Sequence, residues 1–69
     1  MIRPSAASLS LPDLIQMAHL RRSAGAHLLA CMTFMAAATL ARQAGMIDLE
    51  TALLDHAWWC HEQVMKAAA

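Results

Sequence analysis

Between Arg22 and Arg42 the chain reads SAGAHLLACMTFMAAATLA, Ser23 to Ala41, nineteen residues without a charge. Wound at 100° per residue, Leu28, Leu29, Cys31, Met32, Phe34, Met35 and Leu40 spread around the whole circumference of a helix. Such a helix lies either at the centre of a larger core or in a membrane. The stretch is just long enough for a bilayer, but it holds His27, Thr33, Thr39, Ser23 and seven alanines, with few Leu or Phe residues to draw it into lipid. A membrane-associated mini-protein using 23–41 as its span is therefore the alternative, and a protein core the main reading.

Upstream, Leu9-Ser10-Leu11-Pro12-Asp13-Leu14 reads as a helix start. Ser10 is the N-cap, Pro12 is tolerated in the first turn, Asp13 favours the positive helix end, and Leu9 can staple onto Leu14. Residues 1–9, with Pro4 and no periodicity, read as a flexible arm ahead of one domain spanning 10–69. Ser23-Ala24-Gly25 is either a weak point in one long helix or a turn between two. One interior glycine costs only about 1 kcal/mol and no proline accompanies it, which favours a long helix over about 11–44.

Gly45 then stands as the residue after that helix, and Asp48 caps a second one over about 49–66. A loop this short forces an antiparallel α-hairpin. At 1.5 Å per residue the helices measure roughly 51 Å and 27 Å, so they pair only over Ala26 to Ala44. The expected fold is an all-α hairpin whose first helix, covered on one side only, dimerises into a four-helix-bundle-like assembly. Its dimer core would draw on Leu28, Met32, Phe34, Met35, Leu53 and Val64.

Composition agrees with a need for a partner. A 69-residue chain that is 59% hydrophobic and 14% charged has much apolar surface and little interior. Five basic and five acidic side chains cancel, with no basic run longer than Arg21-Arg22, so nucleic acid is not an expected ligand. Two cysteines make no disulfide framework, and nothing of signal-peptide form opens the chain, which points to the cytoplasm.

Two patterns could carry chemistry. His27 and Cys31, and again His56 and Cys60, stand four apart on one helix face, the spacing of soft metal ligands. In a hairpin the cysteines lie level but His27 and His56 diverge by roughly 15 Å. The pairs are weak candidates for a thiol- or metal-linked sensor with His61 nearby, or for a Cys31–Cys60 bridge, and no metal or cofactor is expected. No phosphate loop or activated nucleophile occurs, and Asp13, Asp48, Glu50, Asp55 and Glu62 read as helix-start or solvent-face residues, so the chain is not read as an enzyme. Trp58 and Trp59 point about 100° apart, both beside the polar stripe of the second helix, and a single hairpin cannot bury both. With Met65 they form the candidate partner-binding edge.

A short polar arm, a long helix, a tight turn and an acid-capped helix carrying Leu49-Glu-Thr-Ala-Leu-Leu-Asp-His-Ala-Trp58 resembles the tiny two-helix proteins of phages and pseudomonads that disable host regulators, such as the phage anti-quorum-sensing anti-activators. The resemblance implies a small dimeric helical protein that occupies a surface on a larger host regulatory protein. It assigns no residue a role.

Overall fold

The computed structural model describes residues 9–68, in three helices: α1 (Leu11–Ser23), α2 (His27–Gln43) and α3 (Ile47–Ala68). All but the last residue of the expected N-terminal arm lie outside the described residues. Among the described residues there is no strand.

The start of α1 follows its sequence. Ser10 is extended and its hydroxyl accepts from the Asp13 N–H at 3.3 Å, with proline in the first turn and Arg21 and Arg22 in the last. The long first helix does not form, however. The chain turns at Gly25, which has φ +80°, and again at Gly45, which has φ +75°. Both turns close in the same way. The Gly25 N–H bonds the Arg22 carbonyl and the Ala26 N–H the Arg21 carbonyl; Gly45 and Met46 repeat this onto Arg42 and Ala41. That is the paired bonding in which a left-handed residue satisfies the last carbonyls of a helix. A continuous helix would have needed α-helical φ at Gly25 and would have left α1 standing clear of the hairpin. Turning there instead lays α1 along α2 and covers Ala18 completely. The α3 start also differs from the expectation: Glu50 N–H bonds the Met46 carbonyl, so the helix begins at Ile47 and Asp48 sits in its first turn rather than at its cap.

α2 is the middle element, with α1 and α3 each packed along it. Alanine makes most of that packing: Ala18, Ala30, Ala37, Ala38, Ala41 and Ala57 are buried, joined by Cys31, Cys60, Leu53 and Phe34. Small residues let helices approach closely, but they bury little area each. The Cα trace accordingly measures 45 × 30 × 15 Å, a slab, and its 12.7 Å radius of gyration exceeds the about 11 Å of a compact domain this long.

The two alternatives for Gly25 predict opposite signs for Gly25→Ala. In a continuous helix alanine would stabilise by about 1 kcal/mol. At φ +80° it costs about 1–2 kcal/mol, even though the space beyond Cα is open. We expect Gly25→Ala and Gly45→Ala each to lower the melting temperature by roughly 5–10 °C in a thermal melt followed by circular dichroism.

Candidate interaction surface

An interior made mostly of alanine leaves the large side chains outside. On α2, Leu28 (59% exposed), Met32 (59%) and Met35 (53%) fall on one stripe, with Leu29 beside them. This stripe lies opposite the buried arc of Ala30, Phe34, Ala37 and Ala41, as 100° per residue requires. Grooves flank it on both sides. Cys31, Met35, Leu54, Asp55, Trp58 and His61 line one of about 470 Å³ between α2 and α3. Leu9, Leu14, Met17, Leu29, Met32 and Ala36 line another of about 370 Å³ toward α1. The Leu9 and Leu14 expected to staple do share that second groove.

Within the sequence-derived dimer core, the structure separates inside from outside. Leu28, Met32 and Met35 are exposed and Val64 half-buried, whereas Phe34 and Leu53 are buried within the single chain. Phe34 is fully covered because imidazoles enclose it. His56 stacks on its ring at 5.0 Å with 16° between planes, and His19 meets it edge-on at 5.1 Å. His19 comes from α1, which the hairpin expectation left overhanging rather than packed along α2.

The tryptophans have different surroundings. The Arg22 guanidinium lies 4.1 Å over the Trp59 ring, and His27 meets that ring edge-on at 5.6 Å. Arg22 also donates from Nη1 to His56 Nδ1 at 2.8 Å. Trp59 is thereby part of the clasp joining α1 to α3. Trp58 meets the tilted His61 ring at 5.5 Å beside the groove between α2 and α3, and is 64% exposed against 40% for Trp59.

The clasp constrains protonation. Arginine has no acceptor, so His56 must offer an unprotonated Nδ1. Burial first, then Arg22 and His19, push the His56 pKa below its ordinary value, while Asp55 opposes them. Burial likewise pushes the Cys60 thiol up, which keeps it protonated and a poor nucleophile.

Cys31 and Cys60 are free and buried, His56 is bonded to Arg22, and His27 packs on Trp59 with its buried Nδ1 finding no hydrogen-bond partner among the described residues. No group of three or more His, Cys, Asp or Glu among the described residues is arranged to hold a metal ion. Among the described residues no helix is long and apolar enough to cross a membrane, and the turn at Gly25 leaves only residues 27–41 of the 23–41 stretch within α2. In comparisons with known proteins, no family model, no curated protein and no solved structure matches the chain.

Sequence reasoning missed Arg22, His19 and Thr33. Arg21 donates from Nη1 to Thr33 Oγ1 at 2.6 Å, and that hydroxyl donates on to the Leu29 carbonyl at 2.7 Å, which ties α1 to α2 as the clasp ties it to α3. A basic pair in the last turn of a helix reads as dipole compensation, and only the packing of α1 shows that both arginines reach across to other helices.

A His with a depressed folded pKa binds fewer protons folded than unfolded, so stability is full above the ordinary value of 6.5 and is lost as pH falls below it. Chemical denaturation across that window should give a decreasing midpoint on acidification, and His56→Asn, which keeps an acceptor near Nδ1 but cannot titrate, should flatten the slope. For the tryptophans, Trp59→Ala should destabilise by about 1–2 kcal/mol through lost packing and cation–π contact. Trp58→Ala should stay within about 0.5 kcal/mol of the parent in the same assay.

Proposed function

We propose that this chain is a small non-enzymatic protein–protein interaction module, a homodimer that binds and restrains a larger regulatory protein in the cytoplasm. The observation that carries the reading is the inversion of side-chain size: alanine fills the interior, while Leu28, Met32, Met35, Leu54, Trp58 and Met65 stand at least two-fifths exposed. Contiguous exposed apolar patches of this kind mark interaction sites in soluble proteins.

The surface divides by chemistry. The α2 stripe is aliphatic and methionine-rich, suited to self-association. Trp58 belongs to the α3 edge, where an aromatic ring beside an apolar groove has the character of a binding anchor. Met65, 57% exposed farther along α3, extends that edge with an adaptable side chain. Trp59, already held by Arg22, borders it. The likeness of 49–58 to the phage anti-activators favours a regulatory protein as the target.

The test is affinity capture from a host cell, followed by purification of the captured protein and direct titration against wild type, Trp58→Ala and Trp59→Ala. Loss of an anchor tryptophan should weaken binding by about 30-fold or more, the scale of a hot spot, with helicity and melting unchanged for Trp58→Ala. Binding by Trp58→Ala equal to wild type would remove this edge from the proposal.

A further inference from the structure

We infer that two copies of the chain pair through the exposed stripe of α2, running antiparallel, with Met32 of one copy facing Met35 of the other. This rests on the proposed homodimer and adds to it the surface, the direction and the register.

Leu28, Met32, Met35 and Thr39 follow one another at intervals of four, three and four residues, and all four are exposed. That is the alternation of d and a positions in a coiled-coil seam. Among the described residues more than half of Leu28, Met32 and Met35 stays uncovered, although their side chains are of the size such seams hold. The pattern runs on to Arg42, the next d position and the single charged residue of α2.

Arg42 decides the direction. A parallel pair sets d against d, which would bring two Arg42 guanidinium groups together across the seam, and like charges so placed cost several kcal/mol. An antiparallel pair sets a against d. Met32 then meets Met35 twice at the centre, Leu28 meets Thr39 at each end, and each Arg42 falls beyond the first turn of the opposing α2. Antiparallel helix dipoles add a smaller favourable contribution. Unbranched methionines at the two-fold axis adapt readily to their own copies.

The area is sufficient. The exposed parts of Leu28, Leu29, Met32, Met35 and Thr39 amount to roughly 500 Å² per copy, so about 1,000 Å² for the pair, which reaches the size a specific interface needs without drawing on the Trp58 edge.

The experiment has three arms. Sedimentation of the wild-type chain at tens of micromolar should give a dimer; a folded monomer would overturn the homodimer itself. Met32→Glu, at a site 59% exposed in the single chain, should leave helicity intact and weaken the pair by about 100-fold or more. A dimer insensitive to it would keep the homodimer but move its interface elsewhere. Finally, Met32→Cys and Met35→Cys proteins, each also carrying Cys31→Ala and Cys60→Ala, are mixed and oxidised. Cross-linking between unlike variants should dominate, whereas cross-links within each variant alone would establish the parallel arrangement and overturn the register.

Discussion

The separation of two packed helices is set by the side chains between them, and in this protein those side chains are mostly methyl groups. Ala30, Ala37, Ala38 and Ala41 line the buried arc of α2, with Ala18 of α1 and Ala57 of α3 against it. Close approach follows, and with it a slab 15 Å through at the Cα level. Alanine loses no side-chain rotamer entropy on burial, so such a core forms at low entropic cost. It also gains little, because each methyl removes a small area from water. The stability of the single chain therefore depends heavily on the few large groups that enter the interior.

Phe34 is the largest of these, and its surroundings are unusual for a phenyl ring. Two imidazoles cover it, one of which accepts a hydrogen bond from a guanidinium that in turn lies on an indole. Apolar side chains from α1 and α3 would have filled the same space, but they would have supplied no direction. The Arg22–His56 bond joins residues 34 apart in the chain, and with the Trp59 contact it fixes how α1 lies against α3, which otherwise meet little. The cost is a dependence on the unprotonated state of one histidine.

Much of this was legible in the residues. The Ser10 cap, the turn at Gly45 and the all-round apolar character of Ala26 to Ala41 each have a local cause. The break at Gly25 was misread because the energetic penalty of one glycine in a helix is small enough for either outcome. The better signal was repetition: Leu20-Arg-Arg-Ser-Ala-Gly25 and Leu40-Ala-Arg-Gln-Ala-Gly45 share leucine, arginine, alanine and glycine at the same offsets. A stop accepted at the second should have been accepted at the first. The hairpin expectation then placed Phe34 in an interface, since without α1 lying back along α2 the His19 side of its ring would stay open. The clasp itself was not accessible, because it depends on the relative placement of three helices.

Charge placement supplies the final constraint on the exposed face. Asp13, Asp48 and Glu50 stand in first turns and Arg21, Arg22, Arg42 and Lys66 in last turns, where helix dipoles favour them. Asp55 and Glu62 keep the outer side of α3 hydrated. None of these charges lies in the middle of α2, although Leu28, Met32 and Met35 of its stripe are each more than half exposed. A face that had only to meet water could carry a lysine or glutamate at Met32 or Met35 without disturbing the alanine packing behind it. The uncharged stripe is thus not a by-product of core packing, because core packing uses the opposite arc of the same helix, and it is on this independence that the proposed pairing of two copies rests.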